Sequence, residues 1–563
     1  MKVIIVGGVA GGATAAARIR RLDEHAEIIV FERSGYISYA NCGLPYYIGD
    51  VITDPEELTL QTPESFFKRF RINMKIHHEV ISIHPERKTV SVKNLENGEI
   101  FEEKYDKLIL SPGAKPTQPR LPGVGMDKLF TLRTVEDTFR IKEYINKNHP
   151  KSAVLAGGGF IGLELAENLR ELGMDVTIVQ RPKQLMNPFD PDMASMIHNE
   201  MRKHGIKLVL GYTVEGFKEK DNGVEVLLKD NPSLQADMVV LAIGVTPDTA
   251  LAKEAGLELG IKGSIVVNDR METSVPDIYA AGDAVQVKHY VTGDDALISL
   301  AGPANKQGRI IADNICGGDS HYLGSQGSSV IKVFDMTAAT TGINETNAKK
   351  SGLEVDTVIL SPMSHAGYYP GGKVMTMKVV FEKETYRLLG AQIIGYEGVD
   401  KRIDVLATAI HAGLKATQLK DLDLAYAPPY SSAKDPVNMA GFMIDNIAKG
   451  TLKQWHLEDM DKISKDKNVV LLDVRTVGEF NRGHMKGFNN IPVDELRERI
   501  SEIEKGKPVY LICQSGLRSY IASRILEGNG YETYNFSGGF RFYDTVVNDR
   551  ALIERAYACG MDY

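Results

Sequence analysis

Val3-Ile4-Ile5-Val6-Gly7-Gly8-Val9-Ala10-Gly11-Gly12 and, far along the chain, Ala153-Val154-Leu155-Ala156-Gly157-Gly158-Gly159-Phe160-Ile161-Gly162 decide the fold. Each is a short aliphatic run that stops at a glycine turn. The first leads into an alanine-rich helix expected from Ala13 to about Leu22, then a strand, Ile28 to Phe31, that ends at Glu32. The second leads into a helix expected from Leu163 to Leu172 and a strand from Val176 to Val179. Glycines at such turns let backbone N–H groups approach a pyrophosphate at the helix N-terminus. In the first copy Gly7, Val9, Ala10 and Gly11 form the turn, and Glu32 can accept from ribose hydroxyls. Val9 stands where the middle glycine of G-x-G-x-x-G is expected. The second copy is complete at Gly157, Gly159 and Gly162, with Phe160 and Ile161 opening the helix. Two copies in one strand–turn–helix–strand setting predict two dinucleotide sites.

Composition bounds the rest. At roughly 100–200 residues per domain, 563 residues predict several domains. Hydrophobic residues are 43% and charged residues 25%, which fits ordinary globular protein. The net charge of −8 argues against nucleic acid as a main partner. No apolar run is long enough to span a bilayer, and no leader precedes Val3, so a cytoplasmic, membrane-free protein is expected. The four cysteines, Cys42, Cys316, Cys513 and Cys559, have no metal-ligand spacing, so no metal site is expected. Cys316 ends a helix and Cys559 lies in the C-terminal tail; nothing near either suggests chemistry.

A third segment, Thr273 to Asp283, is a strand that ends in Gly282-Asp283. With the two glycine turns it resembles the two-dinucleotide-fold flavoprotein disulfide reductases. That resemblance implies FAD on the first turn and NAD(P)H on the second. It also implies that Leu110-Ser111-Pro112-Gly113-Ala114 and Asp237 to Gly244 are the crossovers between the folds. The implied FAD contacts, beside the first turn and Glu32, are Arg33, Asn41, Val80, Ser111, Gly113, Gly282, Asp283 and Ala301. Those to NAD(P)H, beside the second turn, are Glu164, Gln180, Arg181 and Gly244. An aspartate or glutamate at position 180 would repel a 2′-phosphate. Gln180 does not, and Arg181 and Lys183 follow, so NADPH is expected to be used and NADH tolerated.

Ser38-Tyr39-Ala40-Asn41-Cys42-Gly43-Leu44-Pro45-Tyr46 carries one cysteine where most such reductases carry two. It resembles the single-cysteine branch of coenzyme A disulfide reductases, persulfide reductases, NADH oxidases and NADH peroxidases. A lone thiol must cycle through a sulfenic acid or a mixed disulfide with a small thiol. A helix start with flavin alongside is expected to favour thiolate. Arg18 and Arg21 share a helix face, and with Ser38, Asn41, Asn305 and Arg309 they are candidates for coenzyme A. The resemblance further implies that Tyr368 and Tyr426, from a partner subunit, reach Cys42 and can protonate a leaving thiolate.

Cys513-Gln514-Ser515-Gly516-Leu517-Arg518-Ser519 follows the strand Val509 to Ile512. With Asp473, Arg475, Glu479, Gly483, His484 and Asn490-Ile491-Pro492 it resembles a rhodanese domain. Backbone N–H groups at a helix start would hold a thiolate or persulfide there, with Arg518 as counter-charge. The expected architecture is α/β. Two interleaved Rossmann-like dinucleotide domains come first: FAD-binding at 1–115 and 244–324, and NAD(P)H-binding at 116–243. An α+β dimerisation domain (325–449), a linker (450–457) and a C-terminal α/β rhodanese domain (458–563) follow. The expected function is NAD(P)H-dependent reduction of persulfides, polysulfides or coenzyme A disulfide by a homodimer. Cys42 would cycle through a mixed disulfide and Cys513 would handle sulfane sulfur. The alternatives are an NADH oxidase or peroxidase, or a redox sensor with a partner-binding rhodanese domain.

Overall fold

The computed structural model describes residues 1–59, 61–220 and 223–558, with side chains to 555; Cys559 lies outside them. The chain divides into two compact units, Met1–Pro182 with Gly205–Gly327, and Lys183–His204 with Ser328–Tyr563.

The first unit contains the two parallel sheets that the glycine turns demand. In one, the order is Ile278–Ala280, Lys107–Leu110, Lys2–Val6, Glu27–Phe31, Asn73–Lys75. In the other it is Lys207–Leu210, Asp175–Gln180, Ser152–Ala156, Met238–Leu241, Leu129–Thr131. Val3, Ile4, Ile5, Val239 and Val240 have no exposed surface, as strands covered on both faces require. The helices after the turns, α1 (Ala10–Leu22) and α2 (Phe160–Glu171), begin three residues before their expected starts. Gly12 shows why: a Cβ there would lie 1.9 Å from Gly7 O, so the first helical turn packs directly on the glycine turn.

The second unit contains an antiparallel sheet, Ser329–Val333, Met336–Gly342, Leu388–Gly395, Thr376–Glu382, Val355–Leu360. It also contains a parallel sheet, Gln454–Trp455, Thr533–Phe536, Val509–Ile512, Val470–Asp473, Asn489–Asn490. The stretch expected to be a linker therefore supplies an edge strand. The physical reason is Trp455, too large and apolar to be left in water: it is 2% exposed, stacks on Phe488, meets Tyr510 edge-on and Phe536 at a tilt, and donates Nε1–H to Leu511 O.

Within this unit the parallel sheet's module is tied to its neighbours by buried polar bonds. α3 (Pro191–Lys203) belongs by sequence to the expected NAD(P)H domain but groups with this unit. His198 on α3 accepts the Leu185 N–H at Nε2 and meets Asp549 Oδ2 at 2.8 Å through Nδ1. This fixes a neutral ring with the proton on Nδ1; burial, against the pull of Asp549, holds His198 below its ordinary pKa. Arg202 Nη1 bonds the other oxygen of Asp549 at 2.5 Å. Ser537 accepts from the Ile359 N–H, and His456 and Gln454 bond Asp356.

Candidate functional site

The first glycine turn is built as a cradle. Gly7 has φ +97° and a Cβ there would strike Ser111 O at 2.1 Å. Glu32 is 8% exposed and accepts from Gly8 N–H at 2.8 Å and Ser34 N–H at 2.9 Å, which ties the end of the second strand to the turn. Val9 caps α1 without a side-chain hydrogen bond, and no acid lies in the first turn. The second turn repeats the device: Gln180 Oε1 accepts from Gly158 N–H at 3.1 Å, and α2 is likewise uncapped by a side chain. A Cβ on Gly159 would meet nothing within 4 Å, so the glycine leaves room for something other than the chain's own atoms. Free helix N–H groups beside open space suit a pyrophosphate. These residues fit the FAD and NAD(P)H that the resemblance implies.

Around the first turn the expected contacts converge. Gly11, Ser111 and Gly282 pack together, a Cβ on Gly11 lying 2.8 Å from Ser111 Oγ and one on Gly282 3.6 Å from it. Ser38 takes φ +46° and its N–H donates to Gly8 O. Asp283 is paired with Arg133 at 2.7 Å, and Arg33 with Asp248 at 2.9 Å. Gly113 (φ +70°) places its Cβ direction 3.6 Å from Arg133. Gly244 has φ +102°. Val80 is buried in the small antiparallel sheet. Arg181 is exposed beside Gln180.

Cys42 is exposed, in the single 3-10 turn Asn41–Gly43 ahead of the five-residue helix Leu44–Ile48. So short a helix offers little N-terminal field. The packing around the sulfur and then the Glu164 carboxylate push the thiol above its ordinary value, against a downward pull from Arg133. The protein groups alone therefore do not lower this thiol; the expectation of a favoured thiolate joins the helix start to a flavin alongside. Glu164 itself is raised to about 7 by burial and by Glu167, one turn along α2.

The coenzyme A candidates meet on the surface shared by α1 and α4 (Ala301–Ile315). Arg18 is ion-paired with Asp313 at 2.8 Å, and Arg309 approaches the other oxygen of Asp313 at 4.0 Å. Asn305 accepts from Thr14 Oγ at 2.6 Å, and Arg21 is exposed on the same helix. The sequence reading missed Thr14 and Asp313, although each lies four positions from a named arginine, Arg18 and Arg309. It also missed Arg133, which no local motif marks. In the second unit, Tyr368 and Tyr426 come together, their hydroxyls 2.8 Å apart, with Tyr368 76% and Tyr426 46% exposed. Cys316 is half-buried at the end of α4.

The second sulfur site is complete within its own module. Cys513 has no exposed surface, and its Sγ accepts from Gly516 N–H at 3.1 Å and Ser519 Oγ at 3.2 Å. Gly516 (φ +101°) turns the loop into α5 (Leu517–Gly528). Phe540 N–H and Arg541 N–H, opening α6 (Gly539–Ala558), bond the carbonyls of Cys513 and Gln514. Ser515 and Leu517 are exposed at the mouth. Arg518 is not a free counter-charge: both its terminal nitrogens bond Glu479, each at 2.7 Å. Arg518 first, and then the Thr476 cap, hold the Glu479 carboxyl down to about 2.

Two nucleotide cradles beside one exposed cysteine, and a buried cysteine in an N–H-lined loop on the same chain, define a two-fold reductase carrying a sulfur-handling module. The pyridine nucleotide-disulphide oxidoreductase model matches residues 1–308, its dimerisation domain 328–436, and a rhodanese-like domain 456–544. The coenzyme A disulfide reductase of Staphylococcus aureus (strain JH9) is 39% identical over 443 residues, 78% of this chain and 99% of that protein. The structure of reduced Bacillus anthracis CoADR-RHD is 49% identical and has a TM-score of 0.95, covering 98% of either chain. An NAD-dependent persulfide reductase from A. fulgidus is 38% identical with a TM-score of 0.90, covering 96% of this chain and all of that one. This chain belongs to the pyridine nucleotide-disulphide oxidoreductase family, with a C-terminal rhodanese-like domain. The family implies FAD and NAD(P)H, and the enzyme is an oxidoreductase acting on sulfur–sulfur bonds.

Proposed function

We propose that this enzyme reduces persulfides, polysulfides or coenzyme A disulfide through a mixed disulfide at Cys42, while Cys513 carries sulfane sulfur. The observation that carries the reading is the pairing of one lone exposed cysteine with a second, enclosed one that already receives two hydrogen bonds at sulfur. FAD and a reduced nicotinamide, when bound, supply the two electrons that sulfur–sulfur cleavage requires. The Cys42 thiolate attacks the carrier sulfur of R–S–SH, forms Cys42–S–S–R and expels hydrosulfide. Restoring the thiolate takes two electrons and one proton and frees the carrier thiol. The hydrogen-bonded tyrosines, Tyr368 and Tyr426, form a donor pair suited to that proton. In a homodimer they serve the partner's Cys42. Arg18, Arg21, Asn305 and Arg309 offer a polar, cation-bearing face for coenzyme A phosphates. Gln180 and Arg181 favour NADPH, with NADH tolerated. The protein is expected in the cytoplasm, where thiol carriers stay reduced.

The test is the Cys42→Ser protein, assayed under argon with NADPH, coenzyme A persulfide and coenzyme A disulfide. Loss of hydrosulfide and thiol release is expected. Unchanged release from either substrate would sink the mixed-disulfide reading. Rapid NADH consumption in air with no sulfur acceptor would instead favour an oxidase.

A further inference from the structure

We infer that the Cys513 loop draws its sulfur from thiol persulfides rather than from dianionic thiosulfate, and that Glu479 is the residue that sets this choice. The inference rests on the reading that Cys513 carries sulfane sulfur. It adds which donor chemistry the loop admits and which side chain decides.

The argument is a charge balance. Two guanidiniums reach the loop, and each arrives with its own carboxylate. Arg518 is held by both oxygens of Glu479. Arg475 is buried against Asp473 at 2.6 Å, with a further bond to Gly483 O, and only a long 3.4 Å contact extends towards Gln514 Oε1. The ring of Phe540 lies 3.8 Å from the Arg475 guanidinium and covers it. Glu479 also accepts from the N–H and hydroxyl of Thr476, which fixes it at the start of its helix. Neither cation has charge to spare. The Cys513 sulfur itself receives one backbone N–H and one hydroxyl, both neutral. The mouth is lined by the exposed side chain of Leu517, 66% accessible. Arg541 begins α6, and its N–H serves Gln514 O, but its side chain is exposed, where water screens its charge.

A persulfide donor suits this setting. The Cys513 thiolate attacks the outer sulfur of R–S–SH, and the bond between that sulfur and the carrier breaks. A Cys513–S–SH bond forms, and the electron pair leaves with the carrier as R–S⁻. The donor enters neutral and the charge of the thiolate leaves with the carrier, with no net oxidation. Attack on thiosulfate brings two further negative charges to an already anionic sulfur and expels sulfite. With Arg518 paired to Glu479 and Arg475 to Asp473, neither guanidinium offsets them. An uncompensated like charge suppresses the wrong donor, and specificity can be built on such a repulsion.

The experiment uses the full-length protein with cyanide as sulfur acceptor and thiocyanate as the readout. Thiosulfate and glutathione persulfide are compared as donors, with enzyme-free rates subtracted. Glu479→Gln keeps the shape and the acceptor for Thr476 while freeing the charge of Arg518. The ratio of kcat/KM for thiosulfate over persulfide is expected to rise about tenfold or more. Leu517→Lys, a surface change that leaves the Glu479–Arg518 pair intact, is expected to raise the same ratio by a smaller factor. A wild-type protein that uses thiosulfate as well as persulfide would overturn the inference. So would an unchanged ratio in both variants. Absence of thiocyanate from either donor would overturn the underlying reading of Cys513 instead. NADPH-dependent coenzyme A disulfide reduction, measured on the same samples, confirms that each variant is folded.

Discussion

The two cysteines of this enzyme are built on opposite plans. Cys513 is fully enclosed, and its sulfur receives a backbone N–H and a serine hydroxyl before any substrate arrives. Cys42 is exposed, and among the described residues no hydrogen bond reaches its sulfur. Its surroundings oppose ionisation rather than assist it. The difference follows from what each sulfur must do. On the proposed reading Cys513 is the carrier, and a preformed, closed loop keeps a reactive persulfide from water and stray thiols. On the proposed reading Cys42 is the redox thiol, which must meet a substrate on one side and an electron source on the other, and an open short turn suits that.

The largest expected effects separate the two sites outright. Cys42→Ser should lower NADPH-dependent hydrosulfide release by about a thousandfold or more, while persulfide-to-cyanide transfer stays at the wild-type rate. Loss of both activities in that variant would mean the sites are not independent. Cys513→Ser should do the reverse, abolishing thiocyanate formation and leaving coenzyme A disulfide reduction intact. Tyr426→Phe should then slow Cys42 turnover by about 10–100-fold, since it removes one member of a hydrogen-bonded proton source and leaves the cysteine in place. An unchanged rate would remove the tyrosines from the chemistry. Gln180→Glu should shift the preference between NADPH and NADH towards NADH by about tenfold, through repulsion of a 2′-phosphate. The same substitution keeps an acceptor for Gly158 N–H, so a loss of folding is not expected.

How far the sequence reveals this differs between the sites for a physical reason. The Cys513 loop is local: seven consecutive residues form the turn, donate to the sulfur and start the helix, so a linear motif contains nearly all of it. The glycine turns are local for the same reason. Glu32 and Gln180 could be read because each ends the strand that follows its turn. The surroundings of Cys42 come from distant stretches. Glu164 and Arg133 act on it across the fold, and no spacing rule links them to Asn41-Cys42-Gly43. The same holds for Arg518: the motif names it, but its partner Glu479 lies on another helix, so the cancellation of its charge is invisible until the chain folds. The edge strand at Gln454–Trp455 was masked by its polar neighbours, and only the burial of Trp455 reveals it.

The subtlest consequence of the contrast concerns pH. Because its surroundings raise the Cys42 thiol, the rate of Cys42 alkylation should keep climbing beyond the ordinary thiol range instead of levelling off near neutrality. Part of that resistance comes from Glu164, whose own pKa of about 7 means that it is ionised, and repels a thiolate, only above that value. Glu164→Gln removes the repulsion. At about pH 8 the variant should therefore alkylate a few-fold faster than the wild type. Below about pH 7 the wild-type carboxyl is protonated and the two curves should converge. The labelled Cys42 peptide is followed by mass spectrometry, which separates it from peptides that carry Cys316, Cys513 or Cys559. A constant ratio across the whole range would show that Glu164 acts on Cys42 through packing rather than charge. The thiol would then owe its raised pKa to the atoms packed beside it rather than to a neighbouring charge.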